Sequence, residues 1–362
     1  MGPTKILFIT RKWPPAVGGM ETYCFELVAE LERLTDLDVR ALPGGADGSA
    51  PHSRALVRFG IREAWHLVTG AGGFNVIHGG DMAIWPLALI GKFRSRRSAI
   101  VLSAHGTDVA YAGRSGVKAA LYRTYMRLGS RLARSVRVIA NSGATAERVR
   151  ALGFRQVDIV PLATRAHHSA EPATPPTPSV LFAGRLVRRK GLSWFVANVL
   201  PGLPDGIALK VAGTVWDEAE RRALDAVRVA HLGTLPQAEL ASVMAEAICV
   251  VVPNVPVGRG HFEGFGLVAV EAAAVGGVVL ASRLDGLTDA VIDGETGFLL
   301  PAADAAAWIA KIGEIAAWSE AERTAFRETA RRRCAEVYAW SRVARQTLAV
   351  YRSELARKEP AE

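Results

Sequence analysis

The sequence predicts an α/β protein built from two doubly wound domains, and three observations carry that prediction. Short apolar runs of strand type alternate with helical stretches along the chain, the pattern of a parallel sheet covered by helices on both faces. A proline-dense stretch, Glu171-Pro172-Ala173-Thr174-Pro175-Pro176-Thr177-Pro178, divides that alternation in two. Proline fixes φ and lacks an N–H, so such a stretch continues neither a helix nor a central strand. The length of 362 residues exceeds a usual single domain and allows each half its own core.

Taken in order, residues 6–10, 39–42, 76–78, 100–104, 136–140 and 158–161 are the expected strands of the first domain, with a helix over about 22–34 after the first. The second series is 179–183, 208–212, 249–252 and 278–281, with 231–232 as a short, edge-like strand. Residues 304–311 and 320–355 are helical in pattern, interrupted at Tyr338-Ala339-Trp340-Ser341, so a last helix can cross back onto the first domain. The expected boundaries are therefore 1–170, a linker at 171–178, 179–337, and a returning helix within 338–362. Two such domains on a stiff connector imply a cleft between the carboxyl ends of their strands, where ligands of doubly wound folds bind.

Composition narrows the class. Hydrophobic residues make up 50% of the chain, yet no apolar run reaches the roughly 18 residues of a spanning helix. The opening Met1-Gly2-Pro3-Thr4-Lys5-Ile6-Leu7-Phe8-Ile9 is too short in apolar length for a secretory signal and reads as a first buried strand. The expected location is the cytoplasm, or the inner face of the cytoplasmic membrane. Cys24, Cys249 and Cys334 are odd in number, far apart and without metal-ligand spacing, so they read as reduced core residues.

Charge is unevenly placed. Residues 1–170 hold 23 Lys and Arg against 12 Asp and Glu, whereas the remainder is nearly balanced. Arg123, Arg127, Arg131 and Arg134 follow at helical steps and share one face, with Leu121, Tyr125, Leu128 and Leu132 forming an apolar face beside them. Lys118 and Arg137 flank the stripe, and Arg94, Arg96 and Arg97 are near in sequence. This suits the anionic headgroups of a membrane surface. Nucleic acid is disfavoured, because the stripe lacks the interleaved aromatics of a base-stacking groove and no recognition module is present.

Several strand-to-helix turns carry candidate chemistry. Arg11-Lys12-Trp13-Pro14-Pro15-Ala16-Val17-Gly18-Gly19-Met20-Glu21 offers a glycine pair whose amides can face an anion, without the third glycine of the dinucleotide fingerprint. Ser103-Ala104-His105-Gly106-Thr107-Asp108 ends the fourth strand where such folds place ligand contacts. Gly184-Arg185-Leu186-Val187-Arg188-Arg189-Lys190-Gly191 brings Arg185 and Lys190 into one loop, where a planar fork and a compact charge together can neutralise a diphosphate. Arg188 and Arg189 read as solvated surface charge.

Glu263-Gly264-Phe265-Gly266-Leu267-Val268-Ala269-Val270-Glu271 is the most informative segment. On a helix its eight steps would separate the two carboxylates by roughly 12 Å, the reach from a sugar to a ribose. Gly264 and Gly266 allow close backbone approach, and the helix they open directs its positive end toward a phosphate. The spacing alone also fits a surface helix that carries two glutamates.

The ordered set Pro14–Glu21, His105-Gly-x-Asp108, Gly184-Arg185 with Lys190-Gly191, and Glu263-x7-Glu271 resembles the retaining glycosyltransferases of family 4. Asp293-Gly294-Glu295-Thr296-Gly297-Phe298-Leu299 is similar to that family's segment after the second-domain core, and the resemblance covers nearly the whole chain. It implies the GT-B architecture of two facing Rossmann-like domains, the second binding a nucleotide-activated sugar and the first most of the acceptor. It further implies that Arg185 and Lys190 hold the diphosphate, Glu271 accepts from the ribose hydroxyls, and Glu263 with the amides of Gly264, Phe265 and Gly266 orients the transferred sugar. His105 would lie near the sugar, and Gly18 and Gly19 near its phosphate or the incoming acceptor. Asp108 would join the site or order its loop.

The resulting expectation is a retaining hexosyltransferase that needs neither a cofactor nor a metal. Its donor would be GDP-mannose or a UDP-hexose, and its acceptor a glycan or a lipid-linked glycan in cell-surface polysaccharide or glycolipid synthesis. The segment from Pro253 to Glu263 is similar to that of GDP-mannose enzymes, although Arg259 and His261 depart from the pattern. A sugar-nucleotide epimerase or hydrolase, and a non-catalytic sugar-nucleotide-binding protein, are the alternatives. A nicotinamide oxidoreductase is disfavoured by the missing phosphate fingerprint.

Overall fold

A computed structural model describes residues 4–70, 73–95, 97–165, 177–258 and 260–358. The chain divides into two compact units, Met1–Leu162 with Trp340–Glu362, and Ala163–Ala339. Arg96, Arg259 and residues 171–176 of the expected linker lie outside the described residues.

The first unit runs β1 (Lys5–Trp13), α1 (Gly19–Leu31), β2 (Asp36–Pro43), α2 (Ser53–Thr69), β3 (Val76–Gly79), α3 (Trp85–Arg94), β4 (Ala99–Ala104), α4 (Thr107–Ala110), α5 (Val117–Leu132), β5 (Val136–Ala140), α6 (Gly143–Ala151) and β6 (Gln156–Ile159). The second runs β7 (Thr177–Ala183), α7 (Leu192–Asn198), β8 (Ala208–Ala212), α8 (Glu218–Arg222), β9 (Val229–Gly233), α9 (Gln237–Glu246), β10 (Ala247–Val252), α10 (Leu267–Ala274), β11 (Val279–Ser282), α11 (Leu287–Ala290), β12 (Phe298–Leu300), α12 (Ala305–Ala316) and α13 (Glu320–Val337). The last helix, α14 (Trp340–Ala356), returns to the first unit, as the interruption at 338–341 predicts.

In the first unit the sheet order is β2-β1-β3-β4-β5-β6, with every pair parallel. Right-handed crossovers then place α2, α3 and α5 on one face and α1 on the other. The central strand β3 shows both faces. A Cβ on Gly91 of α3 would strike Ile77, with Leu67 of α2 beside it, so Ile77 faces that helix layer. The next residue, His78, faces the opposite way, where its Nδ1 lies 2.5 Å from the hydroxyl of Tyr351 on α14. On α5 the inward positions are Ala119, Met126 and Gly129, because the indole of Trp85 sits where a side chain at 129 would be. Tyr125 turns inward to donate to the Ala83 carbonyl, whereas Leu121, Leu128 and Leu132 are exposed beside the arginines.

The second sheet is ordered β12-β11-β10-β7-β8-β9, again parallel throughout. Its core is built around Trp308, Phe195 and Phe182. Two expectations are corrected. The strand at Phe298–Leu300 was not anticipated, since three residues at a sheet edge carry almost no alternation. The central strand β7 begins at Thr177, inside the expected linker, and it accommodates Pro178 where its pairing with β10 shifts register between Ala247 and Cys249. A residue without an N–H is tolerated there because the ladder is already interrupted.

Candidate active-site residues in each unit

The site of the second unit forms at the carboxyl ends of β7 and β10. Lys190 closes a short 3-10 turn, Arg188–Lys190, and Gly191 follows with φ +75°. A Cβ on Gly191 would stand 2.0 Å from the Pro253 carbonyl oxygen. The Val255 N–H donates to the Arg189 carbonyl at 3.1 Å, so the basic loop and the segment after β10 are clamped together. Gly191→Ala should therefore lower stability by about 2 kcal/mol or more, through both left-handed strain and the clash. Urea unfolding measures this, and an unchanged midpoint would contradict the clamp.

That clamp organises Glu263. Its Oε2 accepts from Lys190 Nζ at 2.5 Å, Arg189 Nη1 at 3.1 Å and Asn254 Nδ2 at 3.1 Å. Its Oε1 has no hydrogen bond among the described residues, so one carboxylate oxygen is fixed and the other remains available to a ligand. The Glu263 N–H donates to Asp285 Oδ2 at 3.2 Å, and its carbonyl accepts from the Gly286 N–H at 3.1 Å. Burial alone would raise this carboxyl. The charges of Lys190 and Arg189, with bonds from Lys190 and Asn254, overcome it and hold the group at about 2 against a usual 4.5. Because the folded value is depressed, the cluster adds stability that is complete above the unfolded value and fades as pH falls from 4.5 toward 2. Acid unfolding of Glu263→Gln should lack that component, which a pH series of thermal melts would show.

Glu271 sits half-buried in α10. Burial raises its carboxyl while Lys190 opposes the rise, so Lys190 acts electrostatically on both glutamates and touches only Glu263. It lines a small pocket with Thr164, Arg165, Gln237 and Met244. The expected helical span between the two glutamates is corrected, because α10 begins only at Leu267. Gly266, with φ +103°, caps that helix where a side chain would strike Leu287. Gly264, Phe265 and Gly266 lie just ahead of its first turn, with Phe265 edge-on to Tyr338 at 6.2 Å.

Two further placements differ from the sequence reading. Arg189 is a partner of Glu263 rather than solvated charge, while its neighbour Arg188 is exposed as expected. Arg185 is exposed with its guanidinium 5.6 Å from the centroid of Trp216, and it makes no bond to the Lys190–Glu263 cluster. Asn254 and Asp285 are polar members that sequence reasoning missed. The only available signal was a polar residue two or three positions after the end of a buried strand.

In the first unit, residues gather at the carboxyl ends of β1, β3 and β4. His105 is buried, and its Nε2 lies 2.9 Å from the Gly80 carbonyl oxygen. A carbonyl can only accept, so Nε2 carries a proton, and the neutral tautomer of that ring has its lone pair on Nδ1. That buried Nδ1 has no hydrogen-bond partner among the described residues. The ring is held edge-on by Tyr23 of α1 at 4.4 Å, and Tyr23 in turn bonds Ser103, which bonds His78. Burial pushes His78 down to about 3, so this support is neutral. Asp108 accepts from the N–H groups of His105 and Val109 at 2.9 and 3.0 Å, ordering the loop. Asp81, fully buried, accepts from Arg11 Nε at 3.0 Å and was missed, although it follows Gly79-Gly80 at a strand end. Gly18 precedes α1, where its carbonyl accepts from the Thr22 N–H at 2.9 Å, and Gly19 is the first helical residue. Cys24, Cys249 and Cys334 are buried free thiols.

Known proteins match both units. Residues 177–317 fit the model described as "Glycosyl transferases group 1", and residues 17–164 fit "Glycosyltransferase Family 4". Alpha-maltose-1-phosphate synthase of Mycolicibacterium smegmatis is 27% identical, over 96% of this chain and 99% of its own. A GDP-mannose-dependent alpha-(1-6)-phosphatidylinositol monomannoside mannosyltransferase from the same organism is 28% identical, over 86% of this chain and 89% of its own. Among solved structures, sucrose-phosphate synthase from Thermosynechococcus elongatus superposes with a TM-score of 0.72 at 23% identity, covering 98% of this chain and all (100%) of that one. With two parallel α/β units and both family models in chain order, the protein belongs to the family-4 type of glycosyltransferases and has the GT-B fold.

Proposed function

We propose that the protein is a retaining hexosyltransferase that uses GDP-mannose or a UDP-hexose and needs no divalent metal. The observation that carries this reading is Glu263, with Oε2 fixed by Lys190, Arg189 and Asn254 and Oε1 without a hydrogen bond among the described residues; we assign Oε1 to a sugar hydroxyl. An ammonium has three donors, and one of those on Lys190 is spent on Glu263. The others suit oxygens of a leaving diphosphate, with Arg185 supplying a second cation and the amides before α10 a third source of positive potential. In the reaction the C1–O bond to the diphosphate breaks and the acceptor oxygen bonds C1 on the same face. The acceptor proton passes to the leaving phosphate. Glu271 accepts from the ribose hydroxyls, and His105 Nδ1 is the lone pair in the first unit for a ligand hydroxyl.

The name of one relative, a GDP-mannose-dependent mannosyltransferase, supports the first donor class. A lipid-linked glycan is the acceptor that best suits the basic first unit, with Arg123, Arg127 and Arg131 of α5, and Arg134 in the turn after it, touching an anionic membrane. Thermal-shift screening against nucleotide sugars is the direct test, and no stabilisation by any of them would reject the reading. An inverted anomeric product in an NMR time course would reject retention. Activity lost on chelation and restored by magnesium or manganese would reject metal independence. Product analysis with and without acceptor separates transfer from epimerisation or hydrolysis. Glu271→Gln should raise the donor KM about tenfold with kcat little changed, from the loss of one charged hydrogen-bond acceptor.

A further inference from the structure

The outer surface of the helix layer α2, α3 and α5 combines two properties that an ordinary solvated face does not. It is apolar at regular helical steps. Val57, Ile61, Trp65 and Val68 of α2 follow at intervals of four, four and three, and all are exposed, Ile61 and Trp65 each at 68%. Phe93 on the neighbouring α3 is 76% exposed, and Leu121, Leu128 and Leu132 continue the apolar character along α5. The surface is also basic almost without opposition. The three helices carry nine Lys and Arg and one acidic residue, Glu63. Glu63 is buried and already paired with Arg62 and Arg40. Arg54 and Arg58, at i and i+4 beside the apolar row of α2, have no salt bridge among the described residues.

These helices share one face of the sheet, since right-handed crossovers put them there, α2 packs on α3, and Trp85 of α3 packs on Gly129 of α5. Buried packing does not explain the apolar row, because each helix already has its own inward set: Phe59 and Leu67 on α2, Met126 and Gly129 on α5. An apolar row bordered by arginines on an outward helix is the arrangement that settles at a lipid–water interface, with Trp at headgroup depth and guanidinium groups on the phosphates.

We propose that α2, with Phe93 of α3, inserts its apolar row into an anionic membrane surface, so that the docking face is the whole α2–α3–α5 layer. This rests on the membrane contact read above for α5 and enlarges it from electrostatic adsorption to shallow insertion. The occupant is a bilayer rather than a protein because the charge is of one sign across three helices and spread along them. A protein partner would call for localised acid–base pairing.

Co-sedimentation of the full chain with vesicles tests this, comparing phosphatidylcholine alone with equal parts phosphatidylcholine and phosphatidylglycerol. The wild type should bind only the anionic vesicles. Ile61→Ser with Trp65→Ser should weaken binding roughly tenfold, and Arg54→Gln with Arg58→Gln roughly fivefold for each arginine removed. All four side chains are exposed, so unchanged melting temperatures are the folding control. Added salt should weaken the wild type without abolishing its binding, because insertion is not screened. Depth is read separately from a polarity-sensitive dye on Ile61→Cys, which should shift to the blue with anionic vesicles, while the same dye on Val227→Cys in the second unit should not. The three native thiols are buried and spare the labelling.

If the serine pair binds like the wild type while Arg123→Glu, Arg127→Glu and Arg131→Glu together lose binding, insertion by α2 is refuted and the α5 contact stands. If the wild type ignores anionic vesicles, both fall. If the dye stays unshifted although the protein sediments, binding is adsorption and insertion is refuted.

Discussion

Replacing Glu263 with Gln should slow turnover about a hundredfold while the donor KM changes little. The expectation follows from the division of labour between the two carboxylate oxygens. Gln keeps a carbonyl that can accept from a sugar hydroxyl, but under the function proposed above it surrenders the charge assigned to stabilising positive character at the anomeric carbon, a loss of about 2.7 kcal/mol. Because the substrate does not carry that charge in its ground state, the loss falls on kcat. The substitution also leaves Lys190 and Arg189 facing a neutral amide. Removing one partner from a buried ion pair commonly costs about 3 kcal/mol, so the melting temperature should fall as well. Steady-state kinetics with saturating acceptor, beside calorimetric melts, separates the two effects. A change of less than about twofold in every constant would falsify the placement of Glu263 at the reacting centre.

How much of this was legible beforehand depends on the kind of signal each residue carries. The strands were readable because their apolar runs are long and bounded, and β9, observed at Val229–Gly233, was read only as a short, edge-like strand at 231–232. The strand at Phe298–Leu300 lacked both cues. The site shows the same contrast. Glu263, Glu271 and Lys190 stand out through spacing along the chain, which a sequence displays directly. Arg189 could not be distinguished from Arg188, since only the 3-10 turn at Arg188–Lys190 turns one inward and leaves the other in water. Asn254 and Asp285 are joined to Glu263 by chain folding across 9 and 22 residues, with no local pattern to announce it. The glycines after Glu263 were read as opening a helix, but the helical rise was applied over the whole span to Glu271, because propensity does not reveal that Gly266 takes a left-handed cap and delays the first turn.

Lys190→Met should have the larger effect, lowering kcat/KM for the donor about a thousandfold, or roughly 4 kcal/mol, because under the function proposed above it removes the buried cation assigned to the departing diphosphate. Its cost in stability should be smaller, about 2 kcal/mol, since Glu263 keeps Arg189 and Asn254 and is not left as an isolated buried charge. The two substitutions share one interaction, so they should not add. In a Lys190→Met background, Glu263→Gln should cost about 1 to 3 kcal/mol less stability than it does alone, because the 2.5 Å contact is already gone. A double-mutant cycle by urea unfolding gives that coupling, and the same cycle in kcat/KM shows whether the pair also acts as a unit toward the donor. Additivity within about 0.5 kcal/mol in both cycles, with less than a tenfold loss in kcat/KM for Lys190→Met, would mean that the contact is only weakly coupled and has no part in the chemistry.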